Sequence, residues 1–190
     1  MKHAVLQFSL GLAAILAVSG SGCTDPVRDQ QIEALGGETE GGPGPDHRPG
    51  QPCLLCHSDG GPASSKAFAV AGTIYASSKP GADGKDQVFV QFKDARGHEP
   101  AVPAQSGPSG NFYVPLSDWP NIAFPIRVGL YKDNVDGAPA AVMKSLINRE
   151  GSCNYCHKPN IDPADLPDDK DEKKKALQKT TESAGQIFLP

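Results

Sequence analysis

The sequence predicts a mainly β fold: a β-sandwich with loop and short-helix segments before and after it, and a short charged helix near the C-terminus. Three observations point there. From residue 68 to residue 130, apolar residues alternate with polar or small ones in short runs, the period of half-buried strands. Clusters such as Lys79-Pro80-Gly81, Asp94-Ala95-Arg96-Gly97 and Ser106-Gly107-Pro108-Ser109-Gly110 punctuate those runs as turns. The 190-residue chain also holds 21 glycines and 18 prolines with 38% hydrophobic residues, which favours short strands and long loops.

Residues 1–22 read as an export leader. Met1-Lys2-His3 is a short cationic start, Ala4 to Val18 is mostly apolar, and Ser19-Gly20-Ser21-Gly22 supplies small residues before Cys23. The apolar run is shorter than a comfortable membrane span. The formal charge is −4, and loss of Lys2 with the leader makes it −5, so nothing steers the chain towards nucleic acid.

Residues 23–50 read as a flexible tether. A turn or two of helix is expected around Val27, Ile32 and Leu35. The stretch Gly41-Gly42-Pro43-Gly44-Pro45 cannot hold a core. Residues 51–65 follow and carry Cys53-Leu54-Leu55-Cys56-His57.

Residues 66–137 form the expected sandwich. Phe68, Val70, Gly72 and Ile74 share one strand face, and Ala69, Ala71, Thr73 and Tyr75 the other. Val88, Val90 and Phe92 point one way in the next run. Asn111 to Pro115 is a short strand, and Ile126, Val128 and Leu130 form the inward face of another.

Residues 138–190 form the last segment. Pro139 to Asn148 opens as a helix, with Met143, Leu146 and Ile147 on one face, or continues as a last strand. Cys153-Asn154-Tyr155-Cys156-His157 then repeats the first motif a hundred residues on. Asp168, Asp169 and Asp171 precede Lys173, Lys174 and Lys175, in the order that suits a helix dipole. Gln186 to Leu189 is apolar again and is expected to dock on the sandwich or a cofactor.

The doubled motif carries the chemistry. Cys-x-x-Cys-His is the attachment signature of c-type haem: Cys53, Cys56, Cys153 and Cys156 form thioethers, and His57 and His157 bind iron from the proximal side. The two residues between the cysteines are expected to set only their spacing. A four-thiolate zinc site or a redox dithiol competes with this reading, but zinc would leave the two adjacent histidines idle, and a thioredoxin-like dithiol would sit after a strand in an α/β pattern that is not visible here. Three side chains remain as candidate distal ligands for two haems: Met143, His47 and, more weakly, His98. Which of them serves which iron stays open.

Two resemblances add to this. "VAGTIY", "VFVQFKDARG", "SGNFYV" and "IRVGLY" resemble the carboxypeptidase regulatory-like domain, a transthyretin-like, immunoglobulin-like β-sandwich that serves exported proteins as a structural prop. The order "HRPGQPCLLCH", sandwich, "GSCNYCH" resembles exported bacterial dihaem c-type cytochromes. Cys23 is the cysteine left over, and resembles the lipidated first residue of a bacterial lipoprotein, although Gly20 stands where leucine is usual.

The combined expectation is a dihaem cytochrome c lipoprotein, periplasmic or on the cell surface, carrying single electrons between redox partner proteins at the membrane. It is not expected to be an enzyme. The competing readings are a haem enzyme or a gas or peroxide sensor with one open iron site, and a surface adhesion module stabilised by haem.

Overall fold

The computed structural model describes residues 25–37, 42–133, 135–160, 164, 166, 168–174 and 183–189. The expected leader, Cys23 and part of the charged tail lie outside the described residues. Among the described residues, no helix is long and apolar enough to cross a membrane.

The chain divides into two units, residues 1–34 and 35–190. In the first, α1 spans Pro26–Ala34 and buries no residue. Proline opens it, where a missing N–H costs nothing. The Asp25 carboxylate accepts the N–H groups of Val27 and Arg28, each at 3.1 Å.

The second unit is mainly β, with two sheets. Its strands are β1 (Phe68–Tyr75), β2 (Phe89–Lys93), β3 (Ala104–Gln105), β4 (Asn111–Pro115), β5 (Arg127–Tyr131), β6 (Ala141–Val142) and β7 (Ile187–Phe188). One sheet runs β4-β1-β7 and the other β3-β2-β5-β6. All pairs are antiparallel except β1 with β7. Val70, Ile74, Phe112 and Val114 of the first sheet share one core with Val90, Phe92 and Leu130 of the second, and Ile126 and Trp119 complete it. The second alternating run folds as read, with Val88, Val90 and Phe92 all buried.

Three expectations need correction, and one open alternative is decided. After Pro139 the chain continues as a strand and not as a helix: Ala141–Val142 pairs with Gly129–Leu130, and Ile147 exchanges backbone hydrogen bonds with Ile126. Met143, Leu146 and Ile147 therefore do not share a helical face. Unpaired donors on β5 draw this stretch into the sheet. The tether ends before residue 50. Pro45 and His47 carbonyls accept from the Asn111 amide at 3.3 and 2.9 Å, and Gly50 is buried with its N–H on Thr73 Oγ1 at 2.8 Å. Next, β1 is no half-buried strand: from Ala69 to Tyr75 every residue is buried. Finally, the sheets do not stop at residue 137, since β6 and β7 join them from beyond it.

The reason lies at the outer edge of β1. β4 covers the other edge, but β7 reaches only Ile74 and Tyr75. Ahead of it, Ala71 donates to the Gly151 carbonyl at 3.0 Å and Thr73 to the Asn154 side-chain oxygen at 3.2 Å. Phe68 donates to the His57 carbonyl at 2.8 Å. A buried N–H without a partner costs about 1–3 kcal/mol, so these donors fix where the flanking segments lie.

The turn Asp94-Ala95-Arg96-Gly97 is held by its own carboxylate. Asp94 accepts from the N–H groups of Arg96, His98 and Ala123, at 2.8, 2.9 and 3.2 Å. Burial works against its charge, but these donors and the Arg96 guanidinium outweigh that and hold the carboxyl below its usual range.

Gly50 is held in the left-handed region at φ 79°, and a Cβ there would come within 2.3 Å of the Tyr75 hydroxyl and 2.4 Å of Pro159 Cγ. Gly50→Ala is expected to cost roughly 2–4 kcal/mol through backbone strain and overpacking. A lowered urea midpoint with an unchanged m-value checks this.

Candidate cofactor site

The two Cys-x-x-Cys-His segments fold into the same turn. Cys53–Leu55 and Cys153–Tyr155 are each one 3₁₀ turn. Both are entered from an extended residue, Pro52 at φ −72°, ψ 91° and Ser152 at φ −86°, ψ 98°. In each, the second cysteine donates to the first cysteine's carbonyl at 3.2 Å, and the histidine donates to the same carbonyl at 2.9 Å. A turn this tight brings both cysteines and the histidine of each motif within one turn of chain.

Each histidine is also oriented from behind. His57 Nδ1 donates to the Lys66 carbonyl at 2.9 Å and His157 Nδ1 to the Gly185 carbonyl at 2.8 Å. A carbonyl can only accept, so Nδ1 carries the proton and Nε2 keeps its lone pair for a metal. His47 follows the same pattern, with Nδ1 on the Gly44 carbonyl.

The three candidate distal ligands lie in different surroundings. The His47 ring lies 5.8 Å from that of His57, centroid to centroid, and the planes are tilted by 46°. Met143 is half-buried in the wall of a cleft of about 830 Å³ that Cys153, Cys156 and His157 also line. Leu130, Val142, Leu146 and Phe188 give the cleft apolar walls, and its size falls in the range of cofactor pockets. His98 is exposed in the turn after β2 and does not line this cleft. It is its backbone that serves, on Asp94.

The proximal rings differ in their surroundings. His57 is buried and stacks on Phe68 at 4.3 Å and 13°, and Phe68 stacks in turn on the half-exposed Tyr113 at 4.6 Å. His157 is half-buried and leans on the C-terminal segment, where Ala184 also donates to the Cys156 carbonyl at 2.7 Å. The expected docking of the tail on the sandwich is present as β7.

Whether these residues suit a large cofactor can be judged from polar atoms without partners. Three buried side-chain polar atoms lack a partner among the described residues: Ser58 Oγ, Trp119 Nε1 and Ser152 Oγ. Ser58 directly follows His57, and Ser152 directly precedes Cys153 and lines the cleft. Partnerless polar groups at both motifs fit segments shaped around a further group. Among the described residues, no three His, Cys, Asp or Glu side chains converge as a metal cage.

One expectation about the motifs is overturned. Their middle residues do more than space the cysteines: Leu55 is 6% exposed and Asn154 only 1%. The Asn154 amide donates to the Gln51 carbonyl at 2.9 Å and to Thr73 Oγ1 at 3.0 Å. Thr73, Asn111 and Asn154 are therefore site residues that the sequence did not single out. Bonds spanning 81 and 103 residues leave no local signal.

Burial raises two of the thiols, Cys53 to about 11 and Cys153 to about 12, with smaller contributions from the neighbouring cysteines. Comparison with protein-family models, with curated proteins and with solved structures finds no match.

In folded apoprotein at pH 8, iodoacetamide is expected to modify exposed Cys156 first and Cys153 last, slower by on the order of tenfold or more. Denaturant should abolish the difference, and peptide mapping of the alkylated protein reads it. Equal rates in the folded state would contradict the burial described.

Proposed function

We propose that this chain is an exported dihaem c-type cytochrome, held at a membrane surface by lipid on Cys23, that carries single electrons between redox partner proteins. The observation that carries the reading is the pair of identical turns. Each has two cysteines within one turn of chain and a histidine whose Nδ1 is committed to a backbone carbonyl. A four-thiolate zinc site or a dithiol would leave both oriented histidines idle.

Cys53 and Cys56 would hold one haem and Cys153 and Cys156 the other, with His57 and His157 on the proximal sides. Bound haem supplies one-electron exchange at iron. The chain's own part is to fix ligand orientation, burial and polarity around it. Pairing of His57 with His47 rests on their ring separation, and pairing of His157 with Met143 on the cleft they share. The buried, aromatic surroundings of His57 differ from the open apolar cleft at His157, so the two potentials should differ. The two-sheet scaffold supports the finer reading of residues 66–137 as a transthyretin-like, carboxypeptidase regulatory-like module. Its role here is to hold the motifs together, and no catalytic residue is assigned to it.

Intact mass and haem staining of protein matured by a cytochrome c assembly system should report two covalent haems, and Cys53→Ala with Cys56→Ala should leave one. A colourless, zinc-loaded product would sink the reading.

Thioether ligation raises a potential relative to imidazole ligation. Met143→His should therefore lower the upper of two redox waves and leave the other nearly unmoved. Met143→Leu conserves volume and should cost less than about 1.5 kcal/mol of stability. It should nevertheless remove the near-infrared sulfur-to-iron band. Loss of stability without any spectral change would make Met143 a packing residue only.

A further inference from the structure

Asn154, a middle residue of the second motif, is nearly inaccessible to solvent, and its side chain bonds to Thr73 of β1 and to Gln51 beside the first motif. Its oxygen accepts from Thr73 N at 3.2 Å, and its amide donates to Gln51 O at 2.9 Å and to Thr73 Oγ1 at 3.0 Å. Gln51 stands two residues before Cys53.

Thr73 Oγ1 passes the connection on. It accepts from Gly50 N at 2.8 Å as well as from Asn154, and its only proton goes to Asn111 Oδ1 at 2.8 Å. A hydroxyl has one proton and two lone pairs, so this one is saturated and its direction is fixed. With its oxygen accepting, Asn111 turns its amide outward, onto His47 O at 2.9 Å and Pro45 O at 3.3 Å. Thr73 and Asn111 face each other across β1 and β4, so the sheet itself sets their spacing. Residues 45–51, the stretch that carries His47, are thus tied to a polar chain that begins inside the second motif, with Ser109 N on Asp46 Oδ1 at 3.2 Å as a separate anchor. Such a chain works only when every member is satisfied, and then it is rigid.

We propose that Asn154 is a positioning residue for the other motif's haem: through Thr73 and Asn111 it holds His47 opposite His57, so that a residue of one attachment motif sets the ligation of the haem on the other. The inference rests on the haem reading above. Asn154 does not touch iron in this scheme. It acts on the backbone that bears the ligand.

The test uses full-length, matured protein in which Cys153→Ala and Cys156→Ala leave only the first haem. In this background the parent should be six-coordinate and inert to carbon monoxide when ferrous. His47→Ala sets the opposite limit, a fully carbon monoxide-binding haem. Asn154→Leu should raise the carbon monoxide-binding fraction at least tenfold and add no further change to His47→Ala, because both act through one ligand. Asn111→Leu, at a half-buried position, removes both bonds to residues 45–47 and the acceptor of the Thr73 hydroxyl but leaves Asn154 on Thr73 and Gln51; it should do the same and decides the matter if Asn154→Leu does not fold. Parent-like ligation in both variants with haem attached overturns the inference, as does an effect that adds to that of His47→Ala.

A second measurement is independent of haem. In apoprotein, Asn154→Leu should speed amide hydrogen exchange at Gly50 and its neighbours in residues 45–51 by tenfold or more, while β2 and β5 stay protected. Failure of haem to attach at Cys53 and Cys56 would overturn the haem reading, and unchanged exchange would overturn the clamp by itself.

Discussion

The outer edge of β1 is the constraint on which the rest of this molecule depends. Eight residues of strand, nearly all buried, lie between β4 on one side and a two-residue strand on the other. A strand edge left bare in a core is costly and prone to wrong pairing. Here it is completed piecemeal, by the Gly151 carbonyl and the Asn154 side chain ahead of β7, while the His57 carbonyl takes the donor at the strand's first residue. The motif segments are therefore part of the sheet's hydrogen bonding, and the sheet cannot be whole without them. A Cβ at Gly151 would come within 2.2 Å of the Ala69 carbonyl, so the approach is as close as a backbone allows.

How much of this was legible follows from the range of each interaction. Strands β2, β4 and β5 announce themselves by alternation, since a period of two over five residues is a local property. The motifs are legible because their chemistry is spelled within five consecutive residues. β6 and β7, two residues each, carry no period at all. The docking of residues 45–50 was hidden because glycine and proline read as freedom, while the bonds that remove that freedom come from Thr73 and Asn111. Asn154 was hidden for the same reason: its neighbours in sequence say nothing about Gln51.

The two motifs share one backbone geometry and differ in everything around it. At His57 the ring is buried and stacked on Phe68, with His47 across from it. At His157 the orienting carbonyl comes from Gly185 and the walls from β5, β6 and β7. An identical local signature thus acquires two different environments from long-range packing alone. Residue types in a motif state which chemistry is possible, and the surrounding strands set its energetics.

The contacts of β1 also have a consequence in time. The strand is bonded to segments about 80 and 110 residues further along the chain, through Asn154 and Ile187. Non-local pairings of this kind close late, because loop entropy must be met before the contacts repay it, and such folds form on the order of milliseconds to seconds. Until the edge closes, the Cys153 sulfur is not yet in the core and has the reactivity of an ordinary thiol. Afterwards burial slows that reactivity, although the residue still lines the cleft. The topology thus gives the nascent chain a slow clock, and covalent chemistry at that sulfur is faster before it runs out than after.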